Sequence, residues 1–270
     1  MLSMISINVM PGDTSTCGVH LDGAAQLISH MKSWRGASMD LAPESPFLSP
    51  RGRNGLAENK LDLTSYECVY GIPQSLLAFM QRTIQIIDQV SEVRGTSGSA
   101  SLPDPIASQC DQLENELLDW DVIDHLPAAE PDHDVNANII RYQTLAFHNA
   151  LIIYLSQHIR LLNHRYCHPY IQAVIQNIEE IEKIKARKHI FGAPLYWPAF
   201  IAASEAYDKC LQERFRRWYA EVERYGIEAV KTGVQVIYQV WDEGPVPVAD
   251  RTTCAWRSIT QRAGITLMLT

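Results

Sequence analysis

Asp119, Asp121 and Asp124 stand close together in DWDVIDH (119–125), with His125 directly after them. An all-helical enzyme that holds magnesium diphosphate through aspartates could carry such a stretch. The spacing departs from that chemistry. No adjacent aspartate pair is followed by a third acid one turn on, and no downstream segment combines Asn, Ser and Glu as a second metal-binding element. A solvated helix end accounts for it better. HRYCHP (164–169) brings His164, Cys167 and His168 together, a spacing at which imidazole and thiolate bind zinc. A fourth ligand is not nearby, and Pro169 disfavours helix at His168, which works against a helical His164/His168 pair. A polar connector at a helix break is the simpler reading.

Glu205 lies among alanines, and a buried carboxylate there would have a perturbed pKa. Lys209 follows four residues on, in the favourable orientation for an ion pair. The basic runs KIKARKH (183–189) and RFRRW (214–218) could touch phosphates. Each has acidic neighbours such as Glu182, Glu213 and Glu221, so a solvated or partner-docking face fits better. No phosphate-cradling glycine loop, nucleophile elbow, HExxH, calcium loop or dinucleotide fingerprint is present. The sequence therefore assigns no catalytic, cofactor-binding or metal-ligating residue, and no cofactor.

The elements that would position any site are helical. YWPAFIAASEAY (196–207) is the stretch around which the others organise. Pro198 suits a first helical turn, where its missing N–H is no loss. Ala199, Ala202, Ala203 and Ala206 then share one face with almost no side-chain bulk, so a neighbouring helix can come close to the backbone. Before it, Leu21, Ala24, Ala25, Ile28 and Met31 trace a stripe that Asp13 or Thr14 can cap. Leu77, Met80, Ile84 and Ile87 trace another, and Ile106, Cys110, Leu113, Leu117 and Trp120 a third. Residues 136–163 form the longest periodic stretch, with Ile140, Leu145, Ile152, Leu155, Ile159 and Leu162 as core.

Ile171, Val174, Ile175, Ile178 and Ile181 define the next helix, whose outer face carries Glu179–Lys183 and Glu182–Lys185 pairs. Leu211, Phe215, Trp218, Val222 and Tyr225 follow, with Gly226 as a C-terminal stop. Ile227, Val230, Val234, Ile237 and Trp241 form one more stripe. Residues 35–60, 94–105 and 244–253 are rich in breakers and read as loops. Sustained two-residue alternation is absent. The expected fold is all-α: one domain over residues 1–270, of about eight to ten stacked amphipathic helices.

The 270 residues are 46% hydrophobic, enough for a substantial core, and carry a net charge of −8, a poor basis for gripping nucleic acid over a broad face. No apolar run reaches the roughly 18 to 20 residues that span a bilayer. Cys17, Cys68, Cys110, Cys167, Cys210 and Cys254 are widely spaced with no CxxC pair, which predicts reduced, buried, intracellular thiols.

In order along the chain, GVHLDGAAQLI (18–28), YECVYGIPQSLL (66–77), HPYIQAVIQNIEEI (168–181), LYWPAFIAASEA (195–206), VQVIYQVWDE (234–243) and AWRSITQRAGITLML (255–269) together resemble the fungal-specific transcription factor domain. This is the large helical region C-terminal to the DNA-binding module of many fungal zinc-cluster regulators, and the likeness is greatest to the branch of arginine-metabolism regulators. Gly71, Pro73, Trp197, Pro198 and Trp241 match as fold determinants. The resemblance implies an all-α fold, a nuclear location and a non-enzymatic role in transcriptional regulation, with effector response and interaction as the domain's tasks. The six-cysteine zinc cluster, basic arm and coiled coil of such regulators are not in this sequence. It reads as a truncated or degenerate member, or as the regulatory part of a longer product, without direct DNA binding of its own. Expected partners are the transcription machinery or a full-length regulator, together with a small-molecule effector; no membrane is involved. The alternatives are an interaction scaffold or dominant-negative partner, and an all-α enzyme using Asp119, Asp121 and Asp124 with a divalent metal.

Overall fold

The computed structural model describes residues 71–97, 102–126, 135–162, 164–247 and 253–267. The readings for residues 1–70, including the stripe from Leu21 to Met31 and the loop 35–60, lie outside the described residues. Eight α-helices fill the rest: α1 (Gln74–Ser97), α2 (Asp104–Leu118), α3 (Val135–Leu155), α4 (His164–Lys188), α5 (Tyr196–Ala203), α6 (Lys209–Val222), α7 (Glu228–Glu243) and α8 (Ala255–Ala263). Among the described residues there is no strand, as the periodicity predicts.

The eight residues of α5 are all buried. Pro198 is third in the helix, where its absent N–H would have had no intrahelical acceptor. The small face lets α3, α4, α6 and α7 all close on this one short element. An aromatic shell fills the remaining space. Trp197 meets Phe147 and Tyr154 of α3, Tyr196 meets Trp218 and Tyr219 of α6, and Phe200 meets Trp256 of α8. The carbonyls of α5 are served from outside: the Trp241 indole donates to Ala203 O at 2.8 Å, and the Tyr219 hydroxyl to Ala199 O at 3.3 Å.

The centre is shared with α3. From Ala150 to Ile159 every residue is buried, so this stretch has no solvent face. Three of the expected core residues, Ile140, Leu145 and Leu162, are only half-buried, while Thr144, Ala146, Phe147, Ala150, Leu151, Ile153 and Tyr154 belong to the interior. Helix α4 lies along α3 and makes its most extensive contact there. Ile171, Val174, Ile175, Ile178 and Ile181 face inward as expected. Helices α1 and α2 pair with each other and cover α3, and α8 rests on α7.

Several boundaries differ from the sequence reading. The break expected at 94–105 is shorter, because α1 runs on to Ser97 and α2 starts at Asp104 with Pro105 in its first turn. The break expected at HRYCHP falls earlier. Leu161 adopts a left-handed conformation (φ 51°) and ends the α3 segment, and Pro169 lies inside α4. There it removes the one N–H that would reach Arg165 O, which an otherwise 25-residue helix tolerates. On α1 the buried stripe is Leu76, Met80, Thr83, Ile87 and Val90, one step round from the predicted one. Thr83 fits because its hydroxyl donates to Phe79 O at 2.8 Å. Helix α2 ends before Trp120, whose ring is still packed and donates to Ser75 Oγ at 3.1 Å. Cys110, Cys167 and Cys254 are buried and outside any disulfide, but Cys210 is exposed.

Asp208 caps α6 by accepting from the Cys210 and Leu211 N–H groups. Gly226 is left-handed (φ 68°) and closes the short 3-10 turn after α6. Gly233 of α7 has another role. A Cβ built there would lie 2.9 Å from the Tyr196 hydroxyl oxygen. Tyr196 is fully buried, so it has no room to retreat. Gly233→Ala is therefore expected to destabilise by about 1–3 kcal/mol, although alanine is intrinsically the better helix residue. Urea midpoints should show part of that loss recovered in Tyr196→Phe/Gly233→Ala, and an additive double mutant would contradict the contact.

Candidate functional site

The residues singled out for chemistry in the sequence do not converge. Asp121 is the cap of the 3-10 turn Val122–Asp124, accepting from the Ile123 N–H at 2.9 Å. Asp119 is the C-cap residue of α2, and His125 stacks flat on Trp120. In HRYCHP the Cys167 side chain enters the core and His164 packs edge-on against Tyr207. Among the described residues no three His, Cys, Asp or Glu side chains are gathered as a metal would need.

The basic runs are mostly solvated: Lys183, Arg187, Lys188, Arg216 and Arg217 are exposed, and only Lys185 is buried. Arg214 forms a two-pronged pair with Glu179 of α4 at 3.0 and 2.7 Å, and Arg216 lies over Tyr238 and Trp241 of α7. Lys183 pairs with Glu180 rather than Glu179. The predicted Glu205–Lys209 geometry does not arise. The helix that would set the spacing stops at Ala203, which leaves Glu205 buried in a turn and Lys209 exposed at the start of α6.

Two buried polar centres were not read from the sequence. The first lies where α3 ends in a π-turn, Ser156–Arg160. Arg94 of α1 donates to the His158 and Ile159 carbonyls at 3.0 and 2.7 Å, and Arg160 pairs with Asp111 and Glu114 of α2. Gln157 donates to Ser204 Oγ at 2.6 Å. His158 Nδ1 lies 2.9 Å from Tyr154 O, so that nitrogen carries the proton and Nε2 is the acceptor. The Cys254 thiol, 3.2 Å from Nε2, donates to it.

A thiol against an imidazole resembles a cysteine nucleophile with its base. The electrostatics oppose that chemistry. Burial, reinforced by the Arg257 charge, lowers the His158 pKa to about 3. Burial pushes the Cys254 thiol up to about 12. Both groups are held neutral, the reverse of a thiolate–imidazolium pair. The sequence signal was there to find: Ser156, Gln157 and His158 interrupt an otherwise apolar run, and polar residues inside such a run must find partners in the interior.

The second centre is Glu182, predicted on an outer face but 1% exposed. Lys185 donates to Oε1 at 2.7 Å, while Arg224 and Tyr225 donate to Oε2 at 3.0 and 2.8 Å. Lys185 also donates to Gly192 O at 2.9 Å, tying the α4–α5 connector to this hub. Beside it a crevice opens between α3, α4, α5 and α6, lined by apolar side chains together with Gln143, Glu182 and Trp218.

The first centre sets a pH dependence. A depressed folded-state pKa at His158 means that its neutral form stabilises the fold fully above the free value of 6.5, and that this contribution fades as pH falls toward 3. His148, also lowered mainly by burial, acts with the same sign. The raised thiol of Cys254 adds stability that is lost as pH climbs from 9.0 through about 12. Urea unfolding from about pH 6.5 to pH 4.5 should show a loss of up to roughly 2–3 kcal/mol from His158, at about 1.4 kcal/mol per pH unit. His158→Asn should lower stability at neutral pH and flatten that slope; an unchanged slope would mean that the ring is not held neutral.

Comparison with known proteins bears on this arrangement. The chain is 26% identical over 179 residues to arginine metabolism regulation protein II of Saccharomyces cerevisiae, which covers 65% of this chain and 20% of that protein. The chain thus spans about a fifth of the length of this curated relative. No solved structure matches. The family model described as fungal specific transcription factor domain matches residues 36–270, which takes in every described helix. A helical stack whose reactive-looking groups are neutralised by burial agrees with that match, and the chain belongs to the fungal specific transcription factor domain family, a family of transcription regulators.

Proposed function

We propose that residues 1–270 act as one regulatory domain of a transcription regulator, working by conformation and contact and not by catalysis. The family match over residues 36–270 carries this reading. The neutral Cys254–His158 pair supports its non-enzymatic part, since neither group is poised to attack or to exchange a proton near neutral pH. The reading assigns the protein to the nucleus. It takes the transcription machinery or a full-length regulator as partner, with a small molecule as effector. It gives this chain no direct grip on DNA, in keeping with a net charge of −8. No helix among the described residues is long and apolar enough to cross a membrane.

The name of the yeast relative, a regulator of arginine metabolism, points to control of metabolic genes. In such a domain the effector acts only through a difference in its affinity for two conformations. The decisive measurement fuses the chain to a heterologous DNA-binding module upstream of a reporter. Output should differ severalfold from the bare module and return to its level in Trp197→Ala, which removes a fully buried ring worth about 3–5 kcal/mol. Equal output from fused and bare modules in every growth condition would reject the regulatory role.

A further inference from the structure

One residue that lines the crevice between α3, α4, α5 and α6 carries a polar atom that the fold does not use. Trp218 lines it and is 2% exposed, yet its indole Nε1 has no hydrogen-bond partner. A buried donor without an acceptor is unfavourable, so an acceptor supplied at this point gains an advantage. The other walls are mostly aliphatic, from Ala146, Ile178, Ile181, Leu195 and the two prolines Pro194 and Pro198, with Gln143 and Glu182 as further polar side chains. We propose that this crevice binds a small, neutral, mostly aliphatic molecule with one carbonyl or hydroxyl oxygen, which accepts from the Trp218 indole. The proposal rests on the regulatory reading, for which it supplies the effector's place and chemical class.

The neutrality follows from Glu182. Its carboxylate borders the crevice, so an anion would meet like charge. A cation gains little, because Lys185, Arg224 and Tyr225 already donate to both carboxylate oxygens. The recess is far smaller than a preformed ligand site. It is narrow enough that little beyond one water fits without a wall moving. The wall able to move is the non-helical connector that carries Pro194 and Leu195. Lys185 holds that connector through Gly192 O and holds Glu182 with the same ammonium group. Opening the crevice therefore strains the Lys185–Glu182–Arg224–Tyr225 hub, which links α4 to the turn after α6.

The test follows the indole N–H resonances of the whole chain by NMR, with Trp218 identified by the peak missing from Trp218→Phe. Methyl isopropyl ketone and isobutyramide are the neutral probes; isobutyrate and isobutylamine are the charged ones. A saturable shift of the Trp218 peak is expected with a neutral probe, at about millimolar Kd. It should be absent with the charged probes, and abolished by Ala146→Leu, which fills the crevice, while the other indole peaks stay in place. If Ala146→Leu unfolds, Leu195→Phe at the half-buried rim replaces it. A Trp218 peak that stays still, follows charged probes equally, or moves as much in the filled variant overturns the proposal. If the fused reporter responds to a metabolite while the Trp218 peak stays still, the regulatory reading stands and this site falls. The opposite pair of results keeps the site and removes the regulatory role.

Discussion

A helix with no face fit for water must lie in the middle, and the second half of α3 is such a helix. Ala150 to Ile159 are buried on every side, so other elements have to enclose them. Helices α1 and α2 cover one flank, α4 lies along another, and α5 fills what remains. The last of these positions demands small residues, because α5 also has α6 and α7 against it. The alanine stripe is thus a consequence of crowding around α3. Large rings at Trp197, Phe200 and Tyr196 then take up the volume that the alanines leave.

The same crowding decides the chemistry. Ser156, Gln157 and His158 fall in the enclosed part of α3, where an ion without a partner would be severely destabilised. Each finds a neutral partner: Ile152 O for Ser156, Ser204 for Gln157, Tyr154 O and Cys254 for His158. Charge is tolerated at Glu182 only because three donors converge on its carboxylate. Burial therefore uses polar groups here to fix geometry, and it holds His158 and Cys254 neutral.

The fold class was legible because amphipathic stripes report burial directly. Ile171 to Ile181 and Leu211 to Val222 lie inward as their spacing predicts. Less of α3 could be read, since a helix buried all round carries no stripe to orient. Thr83 was missed for a related reason: a polar residue is read as a break in the stripe unless its hydrogen bond is known. The partners within the buried centres were hidden because they come from distant parts of the chain, even where Ser156, Gln157 and His158 signalled that partners were needed. Arg94, His158 and Cys254 meet only in three dimensions, and Glu182 has an ordinary surface spacing to Lys185. HRYCHP misled in the other direction, since proline early in a long helix forfeits a single bond and need not end it.

The π-turn at Ser156–Arg160 has a consequence for how this chain tolerates length changes. Its hydrogen bonds span one residue more than those of an α-helix. Such a turn is an α-helix that has taken in one extra residue, so losing a single codon here would let the backbone close into regular α-helix with the residues on either side near their present places. The loss would fall on the turn itself, where Gln157 reaches Ser204, His158 reaches Cys254 and Arg160 reaches the acids of α2. This stretch is therefore where α3 could shed a residue without turning its neighbours about the axis, and the extra residue is kept in place by the contacts that its side chains make.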